Sequence, residues 1–170
     1  MDKQLSDIYF ILQKLVGLHR QLLDVVRVER EALVQADLVG IQNATFTKQT
    51  LIEDVHHAES NRLKLTSELA LKWKRPLREL SLPNIIVGMQ GEDLKGADQF
   101  RSAYNTLTIL IQRISEQNQS NMSFLEKSIE HIHNMKKNIL HETSPQSTTY
   151  SQQGQKVSSA SPSRLISKEV

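Results

Sequence analysis

Two Glu-x-x-His pairs are the residues of this chain with the clearest potential for chemistry. Glu53 and His56 form one pair, and Glu130 and His133 form the other. Two such pairs, joined by a glutamate from each of two further helices, hold the metal ions of di-iron carboxylate bundles. At about 100° per residue, Glu130 points roughly 130° away from the apolar seam of its helix, and Glu53 also points away from its apolar face. Because ligands of a buried site must point inward, the sequence argues against a di-iron enzyme.

Other candidates for metal or nucleophile chemistry have unsuitable spacing. His131 and His133 are two residues apart and His56 and His57 are adjacent, so each pair diverges around a helix. The chain has no cysteine and no G-x-S-x-G motif. The segment from Gly88 to Gly91 is not followed by the G-K-[S/T] of a phosphate loop. We therefore expect no catalytic residue, no metal site and no cofactor, and a protein that is not an enzyme.

One basic cluster contains an aromatic residue. It comprises Lys72, Trp73, Lys74, Arg75 and the nearby Arg78. Such a cluster can bind nucleic acid through phosphates and base stacking. Basic residues at the end of a helix also complement its dipole, and this second interpretation is favoured. The whole chain has 21 Lys and Arg against 19 Asp and Glu, so we expect no nucleic-acid partner.

Composition favours helices and an intracellular protein. The 170 residues suggest one domain, or two at most, and they include only six glycines. Asp2 and Asp7 stand where a signal peptide would be basic. No apolar run approaches the roughly 20 residues that a membrane span needs. We expect no membrane insertion and an intracellular location.

Proline positions define the predicted elements. The four prolines are confined to the middle and the end of the chain, at Pro76, Pro83, Pro145 and Pro162. Since proline disrupts helix interiors, the proline-free spans predict helices at about residues 5–35, 37–74 and 97–141. A tight turn at Ala36 and Asp37, with Asp37 as helix cap, is favoured over a kink. The second helix is predicted to bury a stripe made of Leu38, Ile41, Ile52, Val55, Leu65 and Leu69.

These elements predict an all-α fold. The third long helix would extend about 65 Å, so we expect an elongated antiparallel helical bundle or coiled coil of three long helices over residues 1–141. The connector, residues 76–96, is rich in apolar residues and should hold one short helix or turn against the long helices. Residues 142–170 are rich in Ser, Thr and Gln and are predicted to form a disordered tail.

Two asparagines interrupt the apolar seam of the third predicted helix. Asn118 and Asn121 occupy positions that the 3–4 spacing assigns to the seam. A polar seam residue lowers stability but can fix the register of neighbouring helices. The alternative is that this part of the helix faces a partner, which would bind by helix docking. The sequence leaves both interpretations open.

The ordered set of motifs resembles the FlgN-type flagellar export chaperones. Residues 111–132, IQRISEQNQSNMSFLEKSIEHI, carry an N-x-x-N element between seam positions, as the last long helix of that family does. The family's turn and following helix are matched at Glu31, Leu33, Asp37, Leu38, Lys48, Leu51, Ile52 and Arg62. Its short end segment is matched at Tyr150, Gly154, Leu165 and Ile166. The chain departs from the family at Thr45, Phe46 and Thr47, where a charged helix is usual, and in its proline-rich connector.

The resemblance implies a cytoplasmic chaperone of flagellar type III export. Such proteins bind hook-associated proteins, which form the hook–filament junction, prevent their premature assembly and bring them to the export gate. The expected partners are therefore the terminal helical segments of hook-associated proteins and the export apparatus, and a weak homodimer stays open. The alternative is a structural coiled-coil scaffold without cargo. We expect the cargo surface at Asn118, Asn121, Leu125, Ile129, Ile132, Ile139, Tyr150, Leu165 and Ile166.

Overall fold

The computed structural model describes residues 2–142, 148–150 and 156–158, with side chains over residues 2–140. Every regular element up to Glu142 is helical, so the all-α prediction is confirmed. The helices are α1 (Lys3–Gln35), α2 (Leu38–Trp73), α3 (Leu82–Met89) and α4 (Leu94–Glu142), with a 3₁₀ turn at Leu77–Glu79. The chain divides into two compact units, Met1–Ser123 and Phe124–Val170.

A two-residue turn joins α1 to α2, as the sequence predicted. Ala36 adopts the left-handed conformation, with φ of 53°. The backbone N–H of Asp37 donates to the carbonyl of Ala32 at 2.9 Å, which closes the end of α1. The Asp37 carboxylate accepts a hydrogen bond from the backbone N–H of Gly40 at 3.0 Å and so caps α2. The predicted tight turn, rather than a kink, is confirmed.

The connector contains a fourth helix, which corrects the prediction of three helices. Lys74 ends α2 in a left-handed conformation, and Pro76 follows it. After the 3₁₀ turn, α3 places Ile85, Ile86 and Met89 in the same apolar cluster as the long helices. The expected short element against the long helices is therefore present. Its apolar residues were too numerous for a solvated linker, and burying them stabilises the fold by the hydrophobic effect.

The long helices of the Met1–Ser123 unit alternate in direction. Glu29 on α1 forms an ion pair with Lys48 on α2, with 2.6 Å between Oε1 and Nζ. Asp2 pairs with Lys72 near the other end of the same two helices, which are therefore antiparallel. The ring centroids of Tyr9 on α1 and Phe100 on α4 are 5.6 Å apart. Farther along both helices, the side chain of Asn121 on α4 contacts Val26 on α1. The contact nearer the start of α1 is also nearer the start of α4, so α4 runs parallel to α1.

The apolar core is supplied unequally by the helices. Long aliphatic residues dominate the α1 contribution, whereas α2 buries Leu51 and Leu69 together with small or polar residues such as Ala58 and Thr66. The predicted α2 stripe is wrong at Leu38, which is exposed, whereas Leu69 is buried and Ile52, Val55 and Leu65 are partly buried against the core. Small residues at core positions gave no hydrophobic signal in the sequence, and so the stripe missed part of the face that α2 buries.

Two short strands lie in the segment predicted to be a disordered tail. Strand β1 (Thr148–Tyr150) pairs with β2 (Lys156–Ser158) in an antiparallel arrangement, with Thr149 opposite Val157. The other positions of the predicted tail from residue 143 onward lie outside the described residues. The prediction of tail disorder thus stays a prediction.

Candidate docking surface on the fourth helix

Asn121 lies in the core of the Met1–Ser123 unit, where its side chain is only 4% exposed. Its Nδ2 donates to the backbone carbonyl of Val26 at 3.0 Å and to Oε2 of Glu29 at 3.2 Å. Gln117 Nε2 donates to its Oδ1 at 3.2 Å. Glu29 is also paired with Lys48. We call Glu29, Lys48, Gln117 and Asn121 the polar network; it joins α1, α2 and α4.

Asn121 was expected to form part of a cargo surface, but the structure places it in the core. A buried side chain whose amide already bonds to α1 is not available to a partner unless the bundle opens. The other interpretation from the sequence, that a polar seam residue fixes register, matches these contacts. Polar groups buried among apolar side chains require specific partners, so sliding α4 along α1 would leave Glu29 and Asn121 without each other.

Asn118 has a different environment from Asn121. It is half-buried and lines a shallow groove between α1 and α4, together with His19, Leu22 and Ile111. His19 Nδ1 donates to the carbonyl of Leu15 at 2.7 Å, so its ring is held against its own helix. Asn118 therefore remains accessible from this groove, and the structure does not bring it together with Asn121 in one site.

Beyond the core, α4 exposes a row of large apolar side chains in the second unit. Leu125, Ile129, Ile132, Met135 and Ile139 are between 42 and 64% exposed. We call these five residues the α4 stripe. The seam that is buried at Ile114 and Asn121 is thus exposed from Leu125 onward. Large apolar side chains gathered on one surface mark sites for other proteins more often than isolated ones do.

The end of the α4 stripe forms a shallow apolar concavity. It is lined by Ile132, Met135, Lys136, Ile139 and Leu140. Lysine can cover apolar surface with its aliphatic stem while its ammonium group stays in water. Nearby charges have both signs, with Glu126 and Glu130 against Lys127, Lys136 and Lys137. The surface therefore favours an apolar partner with a polar rim over a strongly charged one.

Two residues of this surface were not identified from the sequence. Met135 and Leu140 lie beside the seam positions Ile132 and Ile139. Their spacing of three and eight residues from Ile132 places them at the edges of the same helical face. The sequence therefore contained this spacing, but the predicted cargo surface followed only the heptad seam. Tyr150 belongs to β1, where side chains are not described, and Leu165 and Ile166 lie outside the described residues.

The Glu-x-x-His pairs do not form a site. Glu53, His56, Glu130 and His133 are all exposed, which agrees with the outward direction predicted from helical angles. Among the described residues, no group of three or more His, Asp or Glu side chains is arranged to hold a metal ion.

The basic cluster at the end of α2 has structural contacts. The Lys72 ammonium pairs with Asp2, and Trp73 packs against the apolar core. A Cβ at Gly88 would lie 3.2 Å from the Trp73 ring, so the indole sits closely against α3 at that glycine. These contacts favour the interpretation of the cluster as part of the helix end over a nucleic-acid site.

Comparison with known proteins gave one match. A family model described as FlgN protein matches residues 1–158, a range that includes all four helices and both short strands. Searches of curated proteins and of solved structures gave no match. Within the part of the chain that the structure describes, no helix is both long enough and apolar enough to cross a membrane.

Proposed function

The chain belongs to the FlgN family and so has the family's general role as a flagellar export chaperone, and from this premise we propose its cargo and its site of action. The cargo is a hook-associated protein, bound in the cytoplasm through its terminal helical segments. Binding prevents premature assembly at the hook–filament junction, and the chaperone then delivers the cargo to the export gate. The chain acts by binding alone, without catalysis or a cofactor.

The observation that carries this proposal is the exposed α4 stripe. Helical segments that associate with each other in an assembled structure have apolar faces that must be covered before assembly. A helix that presents apolar residues at intervals of three and four can pack against such a face. The stripe is presented by a helix, so its side chains are already spaced for helix packing and need little ordering on binding.

The composition of the stripe suits reversible binding. It consists of aliphatic and methionine side chains, which pack adaptably and make no specific salt bridges. A chaperone must release its cargo at the export gate, so moderate affinity is an advantage. Of the sequence candidates, we propose Leu125, Ile129, Ile132 and Ile139 as cargo contacts. Asn118, Tyr150, Leu165 and Ile166 remain further proposals, and Asn121 acts through the polar network.

The test is direct binding to the hook-associated proteins of the same genome. Leu125→Asp and Ile129→Asp each place a carboxylate in the stripe, and we expect each to weaken cargo binding by about tenfold or more. Asn134→Asp adds the same charge on the opposite, exposed face of α4 and should leave binding unchanged. Isothermal titration calorimetry measures the affinities, and circular dichroism checks that helicity is retained.

The cargo is varied in the same experiment. Hook-associated proteins that lack their terminal helices should not bind, because those helices supply the apolar faces to be covered. Normal binding by both Leu125→Asp and Ile129→Asp would contradict the placement of the surface. No binding of any hook-associated protein to the folded wild-type chain would contradict the proposed cargo and would favour the alternative scaffold function.

A further inference from the structure

A second exposed apolar surface lies at the turn between α1 and α2. Val34, Leu38, Val39 and Phe46 are between 61 and 76% exposed, and all belong to the Met1–Ser123 unit. We call these four residues the turn patch. Phe46 is one of the positions at which the sequence departs from the charged helix usual in the family. The turn patch is separate in sequence from the α4 stripe and has no role in the function proposed above.

Two residues of the turn patch share one side of α2. Val39 and Phe46 are seven residues apart, so they lie nearly above one another. Leu38 is adjacent to Val39 and lies about 100° around the helix from it. All three lie away from the side that buries Ala44, Leu51 and Ala58. Since it faces away from the core, Phe46 contributes little to folding and its large ring is available to a partner.

The turn that presents the patch is held by specific hydrogen bonds. The backbone N–H of Asp37 bonds to Ala32, and the Asp37 carboxylate accepts from Gly40. The ends of both helices are therefore fixed next to Val34 and Leu38. A patch presented by fixed helix ends binds without the entropic cost of ordering a loop.

The turn patch lies in a part of the chain with few charges. From Ala32 to Thr47, Asp37 is the only charged residue. Lys48, at the border, is already paired with Glu29. Binding to a nucleic acid or to an anionic membrane surface requires clustered Lys and Arg, which this region lacks. The complementary surface must accordingly be apolar and nearly neutral, and an identical turn patch has both properties.

We propose that a second copy of this chain occupies the turn patch. In a two-fold dimer each copy presents the same surface to the other, so four apolar side chains from each chain meet. The one carboxylate in the region, Asp37, caps α2, and the positive end of that helix dipole partly offsets its charge. An exposed apolar patch of this kind has an area on the order of 500 Å². Two of them bury about 1,000 Å², which is at the lower limit for a specific interface and indicates a weak dimer.

Sedimentation velocity of the full chain, from about 5 to 500 μM, tests this proposal. We expect monomer at the lowest concentrations and a reversible increase toward twice the 19.4 kDa chain mass at the highest. Phe46→Asp should remain monomeric throughout, and Phe46→Ala should weaken dimerisation by about tenfold. Phe46 faces solvent, so circular dichroism should show unchanged helicity for both variants.

Two control variants distinguish this interface from other sources of association. Asn61→Asp adds one charge at an exposed position elsewhere on α2 and should dimerise like the wild type. Ile129→Asp disrupts the α4 stripe and should also dimerise normally, while losing cargo. A wild-type chain that is monomeric at every concentration would overturn the proposal. So would a dimer that persists in Phe46→Asp, or one that is abolished by Ile129→Asp.

Discussion

Replacing Asn121 with alanine should measure how strongly the polar network holds the bundle together. The mutation removes the hydrogen bonds that Asn121 donates to the Glu29 carboxylate and to the carbonyl of Val26, and the one it accepts from Gln117. It also leaves a small cavity at a position that is buried against α1. Glu29 keeps its ion pair with Lys48, so its charge does not become fully unpaired. The perturbation is therefore confined to α4 and its link to α1.

The expected loss of stability follows from these contacts. A hydrogen bond to a charged group contributes about 1.5–3 kcal/mol, and the 3.2 Å distance to Glu29 suggests the lower part of that range. The lost bond to Val26 and the cavity add about 1 kcal/mol. The higher helix propensity of alanine returns about 0.6 kcal/mol. Asn121→Ala should thus lower the free energy of unfolding by about 2 kcal/mol.

Urea unfolding followed by circular dichroism gives this value directly. Asn105→Ala is the matched control, since Asn105 is exposed on the same helix and gains only the propensity term. We expect that control to be unchanged or slightly stabilised. Combining Asn121→Ala with Glu29→Gln should show a coupling of about 1 kcal/mol in a double-mutant cycle. A loss for Asn121→Ala below about 0.5 kcal/mol, or a coupling near zero, would refute the assignment of a structural role to the network.

Two further predictions concern stability outside the polar network. Gly17 lies inside α1, and a Cβ added there would have no atom of another helix within 4 Å. Because alanine favours helix more than glycine does, Gly17→Ala should raise the free energy of unfolding in urea by about 1 kcal/mol. A destabilised variant would show that a close neighbour is present. Arg62 donates to the Glu59 carboxylate at 2.6 and 2.8 Å, and this interaction lowers the pKa of Glu59 below its ordinary value of 4.5. The resulting stabilisation is complete above that value and is lost as the pH falls through the lowered pKa, so the wild type should exceed Glu59→Gln in stability at pH 7 and lose this advantage in acid. A difference that is independent of pH would exclude the ionised pair as its cause.

The match between sequence and structure is closest where the signal is local. Ala36 and Asp37 were identified as a turn because an N-cap residue stood between two runs of helical periodicity, and both the cap and the turn are present. Glu53 and Glu130 were predicted to point outward from the 100° geometry of a helix, and both are exposed. Such features depend on neighbours a few residues away, which the sequence shows directly.

Predictions that depended on tertiary packing succeeded less often. Ala58 and Thr66 are buried on α2 because the neighbouring helices approach that side, although neither residue is strongly apolar. Ile52, which is strongly apolar, is only half-buried. Hydrophobic periodicity identifies a helix with confidence, but it identifies the buried side only when large apolar residues are concentrated there.

The asparagine pair shows where the information in the sequence ends. Both residues were recognised as polar interruptions of one seam, and both were assigned to a cargo surface. The structure separates them, because Asn121 meets Glu29 on α1 and Lys48 lies beyond it on α2, whereas Asn118 lines a groove. Glu29 and Lys48 are 19 residues apart, and Glu29 and Asn121 are 92 apart. No local pattern relates residues at those separations.

By itself, the sequence determined the all-α class, the positions of the long helices, the turn at Ala36 and the family. Periodicity, proline positions and capping residues encode these features over short distances. Tertiary structure alone decided that Ala58 and Thr66 of α2 are buried, that Asn121 is internal, and which apolar residues stay exposed on α4 and at the turn. Those outcomes depend on which helices meet, and burial is a property of the assembled bundle rather than of any one segment.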